Sequence, residues 1–242
     1  MIFITGDTHG EVKRLSRRAF HKSGLFYPRK GDTLLICGDF GFLWDGSRQE
    51  EKILKKLGRK KFRILFVKGT HENFDLLEKY PAEEFAGGMA RRISGHLYCL
   101  ENGYVFHLEG KSFFAFGGGE SPDSLIRMDA GTYDRREFPT KEELTSGETR
   151  YFASAPNDKG FLADFIVTHD GPTRMRNFIN LENGEMNEMH AMFDRISDDG
   201  RFGHWYFGRY HMDRKLSKKF TVVFEKILAV VPRKKKKRSR RK

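Results

Sequence analysis

Five short stretches carry residues able to do chemistry: Asp7-Thr8-His9, Gly38-Asp39, Gly69-Thr70-His71-Glu72, Thr168-His169-Asp170 and Gly208-Arg209-Tyr210-His211. Carboxylates mixed with imidazoles suit Mn, Fe, Zn or a similar divalent ion. No cysteine lies within any of the five, which separates the pattern from a structural zinc site. Each stretch alone is a weak signal, because Asp-x-His recurs by chance and a lone histidine is commonly a hydrogen-bonded core residue. Their shared context is the stronger signal. A phosphate-cradling Gly-x-x-x-x-Gly-Lys-Ser/Thr loop is absent, as is the Gly-x-Ser-x-Gly elbow of a serine hydrolase.

The elements that must position these residues are strands. Ile2-Phe3-Ile4, Leu34-Leu35-Ile36-Cys37, Ile64-Leu65-Phe66-Val67, Phe165-Ile166-Val167 and Trp205-Tyr206-Phe207 each run straight into one of the polar stretches. Unbroken apolar runs suit strands buried on both faces. Val12, Leu15 and Ala19 share a helical face, as do Ile53, Leu54 and Leu57, and Met186, Met189, Phe193 and Ile196. Alternating strands and helices predict a layered α/β fold. Ligands in such sheets lie beyond the carboxyl ends of the strands. Co-directed strands would therefore bring Asp7, His9, Asp39, His71, His169 and His211 to one place.

From about Arg91 to Phe116 the pattern becomes a meander, with strands at Leu97 to Leu100, Tyr104 to Leu108 and Lys111 to Phe116 punctuated by Gly103 and Gly110. Residues 117–164 are rich in glycine and charge and read as a surface insertion with one helix near Lys141 to Glu148. Thr221 to Phe224 reads as a further strand. The expected organisation is one domain over residues 1–232 and a disordered polybasic tail over 233–242.

The five stretches, in this order and over nearly the whole chain, resemble the calcineurin-like metallophosphoesterase family. The resemblance implies a four-layer α/β sandwich of two mixed sheets flanked by helices, and hydrolysis of phosphomonoesters or phosphodiesters with one or two divalent metal ions per chain. It implies that Asp7, His9 and His211 hold a first ion, that Asp39 bridges, and that His169 holds a second. His71 would stabilise the transition state or protonate the leaving oxygen. Two ions ~3.5–4 Å apart clamp the attacking and leaving oxygens of an in-line displacement, and water made acidic by the metal needs no separate strong base.

Two positions depart from the family pattern, and both belong to the second ion. Thr70 stands where the family has an asparagine ligand, and Arg209 stands where it has a histidine. A guanidinium keeps its proton and cannot be a ligand. It can pair with Asp39 or with a phosphate oxygen in bidentate fashion. The expectation is a weakened or mononuclear centre in which Arg209 supplies the charge of the missing ion, with Thr70 and Glu72 supporting the ligands. The alternative is a catalytically impaired relative that serves as a phosphate- or nucleic-acid-binding module.

The chain has 242 residues, of which 38% are hydrophobic and 32% charged. A chain of this length can bury roughly 70% of its unfolded surface. No apolar run approaches the ~20 residues of a membrane span. MIFIT meets Gly6-Asp7 at once and reads as a buried strand rather than a signal peptide. Cys37 and Cys99 lie in apolar segments and read as core thiols, so a cytoplasmic location is expected. Nine cations fall in RKKKKRSRRK, residues 233–242, which leaves +3 of the net +12 for the rest. Such a block suits nucleic acid or another polyanion as partner, beside the phosphoester substrate.

Overall fold

The computed structural model describes residues 1–121, 123–131, 133–180 and 186–232. The expected disordered tail at 233–242 lies outside the described residues. The chain begins β1 (Ile2–Thr5), α1 (Arg17–Lys22), β2 (Thr33–Ile36), α2 (Arg48–Gly58), β3 (Arg63–Phe66) and α3 (Phe74–Glu78). It continues through β4 (Ala82–Phe85), β5 (Gly88–Ser94), β6 (Leu97–Leu100), β7 (Tyr104–Leu108) and β8 (Lys111–Phe116). Then come α4 (Ser124–Asp129), α5 (Lys141–Phe152), β9 (Ala163–Thr168), α6 (Thr173–Asn180) and α7 (Glu188–Asp199). The last strands are β10 (Phe202–Phe207), β11 (Arg214–Lys215), β12 (Phe220–Val222) and β13 (Leu228–Val231).

The strands form two mixed sheets, in the orders β13-β1-β2-β3-β6-β5-β4 and β11-β12-β10-β9-β8-β7. β1, β2, β3 and β6 run parallel, as do β8, β9, β10 and β12. The two faces of each sheet are separately buried. Ile2, Ile4, Leu35 and Leu65 pack with Phe106, Phe113 and Val167 between the sheets. Phe3, Leu34, Ile36, Ile64 and Phe66 pack beneath the helical side with Leu54 and Leu57 of α2. Phe114, Phe116, Ile166, Trp205 and Phe207 meet Leu144, Met189, Phe193 and Ile196 of α5 and α7. The result is helices, sheet, sheet, helices, the four-layer α/β sandwich that the family resemblance implied, within the layered α/β class that alternating strands and helices predicted. Burial of both faces is why the runs do not alternate.

Some local expectations are corrected. The apolar face Val12–Leu15–Ala19 does not form one helix: a 3-10 turn covers Val12–Leu15, and Ser16 then caps α1 with its side chain. The meander is split, because β6 stays in the first sheet while β7 and β8 form a hairpin in the second. The hairpin of β4 and β5 precedes the expected start of that region, and its half-exposed, charge-bearing strands carry little apolar signal. Residues 117–164 contain two helices rather than one, and α5 extends to Phe152 behind a Thr140–Glu143 capping box. Cys37 and Cys99 are buried free thiols. No described helix is long and apolar enough to cross a membrane.

Candidate metal centre

Asp7 and His9 follow β1, Asp39 follows β2, and Thr70 and His71 follow β3. In the second sheet His169 follows β9, and Arg209 and His211 follow β10. The loops are tied to one another across the sheets. Thr8 N and His9 N both donate to the Asp39 carbonyl at 3.0 and 2.9 Å, and Gly208 N donates to the His169 carbonyl at 3.0 Å. His169 Nδ1 meets the Cys37 carbonyl at 3.1 Å, which joins the two sheets at this end.

The turns are tight. His9, Asp39, Arg209 and His211 have φ of 44°, 41°, 67° and 47°, four of the six described non-glycine residues in the left-handed region. Such conformations cost of order 1–3 kcal/mol each and gather at functional sites. The motif glycines are needed for close approach. A Cβ at Gly69 would fall 2.0 Å from Asp39 Oδ1, and one at Gly208 would fall 2.2 Å from Asp7 Oδ1.

Asp7, His9 and His211 converge, each offering a ligand atom within 4.8 Å of the others. His9 Nε2 and His211 Nε2 lie 3.0 Å apart, and His211 Nε2 is 3.3 Å from Asp7 Oδ2. Two ring nitrogens this close are held together by a shared proton or by a common cation. Burial lowers the pKa of His9 despite the opposing Asp39 and Asp7 charges, so it favours the neutral, ligand-ready ring. The hydrogen bond to Asp7 raises that of His211, against burial.

Asp39 lies beside this triad. Its Oδ2 is 4.0 Å from His9 Nδ1, and its Oδ1 is 3.5 Å from His169 Nε2. Its oxygens also accept from Thr70 N at 2.8 Å and His71 N at 3.0 Å, and meet His71 Nδ1 at 3.0 Å. Burial works against its charge, but His169 and the His71 hydrogen bond outweigh it and hold the carboxyl well below the usual range. His169 is fully buried, and its Nε2 has no hydrogen-bond partner among the described residues. A buried imidazole nitrogen left unmatched is costly in a protein interior unless something is accepted there. The donor set therefore fits a divalent cation at Asp7, His9 and His211, and leaves Asp39 and His169 facing a second position.

Arg209 follows β10 at the same end of the sheets. Its side chain faces inward, 18% exposed, and of the two partners open to it, Asp39 or a phosphate oxygen, it makes no pair with Asp39 among the described residues. Asp39 is already occupied by Thr70 and His71, and the backbone N–H of Arg209 donates to both Asp7 oxygens at 3.1 and 3.0 Å. The guanidinium instead places Nε 3.4 Å from Asp170 Oδ2 and donates from Nη2 to the Glu120 carbonyl. Nη1 is buried with no hydrogen-bond partner among the described residues. Burial disfavours the cation, but the Asp170 charge prevails and raises the Arg209 pKa.

Thr70 is buried, and its Oγ1 lies 3.1 Å from His71 Nδ1. Glu72 accepts from Phe40 N at 2.7 Å and Gly41 N at 3.4 Å, bracing the loop behind Asp39. Burial, then the Asp39 charge, pushes its carboxyl up to about 8.

Several residues of this neighbourhood had weak signals or none. Asp170 is buried and accepts from Tyr210 Oη at 2.5 Å and Gly171 N at 2.7 Å, while His190 Nε2 lies 3.0 Å away. Asp170 and Tyr210 adjoin motif histidines and so were findable. His190 comes from α7, read only as a core helix, and Glu120 comes from the stretch read as a surface insertion.

The sequence model of the family described as calcineurin-like phosphoesterase matches residues 1–225. No curated protein matches the chain. Among solved structures, the chain is similar to a Staphylococcus aureus protein described as a 5'-nucleotidase, in complex with alpha-ketoglutarate. Identity is 16% and the TM-score 0.47, over 93% of this chain and 49% of that one. The chain thus spans about half the length of that protein.

Proposed function

The chain belongs to the calcineurin-like phosphoesterase family, and from that premise we propose that it hydrolyses phosphoester bonds at a centre holding one divalent ion, with Arg209 in place of the second. The observation that carries this reading is the pairing of an intact triad, Asp7, His9 and His211, with a buried guanidinium whose Nη1 has no hydrogen-bond partner among the described residues. A divalent ion bound by the triad supplies Lewis acidity: it makes water a nucleophile near neutral pH and offsets phosphoryl charge.

The chain's own residues do the rest. Asp39 faces both positions and orients His71 through Nδ1, which leaves the other ring nitrogen to hand a proton to the departing oxygen. The Asp39 hydrogen bond, against burial, raises the His71 pKa, which favours the protonated acid. Arg209 Nη1 offers a charge-assisted hydrogen bond to a phosphoryl oxygen, geometry that a lysine would not reproduce. Asp170 holds Arg209 from behind, and Tyr210, His190 and Gly171 hold Asp170. The location in this reading is the cytoplasm, and Mn, Fe or Zn the ion.

Metal content and turnover test the proposal together. After loading with Mn, Fe or Zn and desalting, elemental analysis should find about one ion per chain. Arg209→His with Thr70→Asn should raise that to about two and raise phosphodiesterase activity. Two ions in the unaltered chain, or no change in content or rate on restoration, would overturn it.

A further inference from the structure

We infer that the chain binds single-stranded nucleic acid in a basic groove at the end of the first sheet opposite the candidate metal centre. The groove has a volume of ≈ 840 Å³ and is lined by Lys30, Arg59, Lys60, Lys61 and Arg63, with no carboxylate in its wall. That is five cations around one concavity in a chain whose first 232 residues carry a net charge of only +3.

Its place in the fold follows from strand direction. Lys30 precedes β2, Arg63 opens β3, and His96 precedes β6, which are the amino ends of parallel strands. Asp7, Asp39 and His71 follow the carboxyl ends of β1, β2 and β3. Four residues at ~3.3 Å each separate the two ends by ~13 Å of strand alone.

Two of the cations are held by neighbours. Lys60 Nζ donates to Tyr27 Oη at 2.6 Å, and Arg63 donates to Glu109 at 3.0 Å and to Thr33 at 3.1 Å. Lys30, Arg59 and Lys61 are exposed, and their side chains have no hydrogen-bond or ion-pair partner among the described residues. A helix carboxyl end tolerates cations, and α2 ends at Gly58, so Arg59 and Lys60 have a local reason to be basic. Lys30 and Arg63 come from other elements and share no such reason. Like charges from separate elements around one concavity focus a positive field.

The wall also contains rings. Phe85 is half-buried and stacks on buried Tyr98 with centroids 4.5 Å apart, while His96 is exposed and open to a base. Cations that track phosphates beside an exposed ring that takes a base face are the combination single strands use. A bilayer surface asks instead for exposed apolar side chains on a convex face. The register strengthens the assignment. Val231 of β13 pairs with Ile2, at the same end of the sheet, and the nine cations of 233–242 follow it in sequence.

The test is fluorescence anisotropy of the full chain with a labelled, cleavage-resistant phosphorothioate oligonucleotide of mixed sequence, about 12 nucleotides long, within the site sizes such grooves accept. Lys30→Glu/Arg59→Glu/Lys61→Glu should weaken binding tenfold or more at 0.1 M salt. It should also reduce the slope of log K against log salt by about 2, since three contacts at about 0.7 each are removed. Its thermal melting should match the parent chain, which excludes misfolding. Glutamine in place of the nine cations of 233–242 should weaken binding further without erasing the groove's contribution. The inference fails if the triple variant binds with unchanged affinity and slope. It also fails if duplex of the same length binds as tightly, or if anionic phospholipid vesicles bind while the oligonucleotide does not.

Discussion

The two halves of the candidate centre are built from the same kinds of loop but differ in what those loops leave unsatisfied. On one side Asp7, His9 and His211 bring candidate ligand atoms within 4.8 Å of one another, an arrangement that fits a cation. On the other, Arg209 Nη1 is a buried donor without a hydrogen-bond partner among the described residues. A dication would suit the first and be repelled by the second. A phosphoryl oxygen would suit the second. On the proposed reading, an arginine at the family's histidine position exchanges a metal-binding group for an anion-binding one, with buried Asp170 fixing the guanidinium.

The largest effect should come from setting the halves against each other. His211→Ala should lose the ion and lower kcat/KM by on the order of 10³-fold, several kcal/mol of transition-state stabilisation. Arg209→Ala should keep the ion and lose about 10²-fold. Equal metal loss in both variants, by elemental analysis, would erase the contrast. Next, His71→Ala should cost about 10²-fold with an alkyl leaving group and much less with a nitrophenolate, which needs no proton. An equal loss on both substrates would remove the leaving-group acid from the scheme.

A smaller effect is expected behind Arg209. Tyr210→Phe removes one donor from Asp170 and should lower kcat/KM about tenfold, chiefly through KM, with metal content unchanged. Loss of metal instead would mean Asp170 serves the ligand side. The smallest effect on chemistry should come from Glu143→Gln, which separates fold from site. Glu143 accepts from Lys68 Nζ at 3.0 Å, just before the Gly69 loop. Burial opposes its charge, but Lys68 outweighs burial and lowers its pKa. A depressed folded pKa means stability present above the unfolded value of about 4.3 and lost as pH falls through the folded one. The variant should therefore be less stable by about 2 kcal/mol at pH 7, and the difference should close in acid. A gap in denaturation midpoint that persists well below pH 4 would contradict the ion pair.

Much was legible in the residues alone because the signals are local. Five apolar runs followed by Asp, His and Gly announce buried strands with ligand-bearing ends, since burial on both faces and a turn into solvent are written in adjacent residues. The family resemblance and the layered α/β class follow from the same stretches. The hairpin of β4 and β5 did not, because its strands are half exposed. The split of the meander did not either, because which sheet a strand joins depends on non-local hydrogen bonds.

The same division holds at the centre. Composition settled that Arg209 cannot be a ligand, since a guanidinium keeps its proton whatever surrounds it. Only the tertiary structure decided which way it points. That choice rests on Asp170, His190 and the Glu120 carbonyl, brought from three segments far apart in the chain, and on Asp39 being already filled by the Thr70–His71 loop. The basic groove obeys the same rule: its cations are visible singly in the sequence, and only parallel strand pairing gathers Lys30, Arg59 and Arg63 around one cavity.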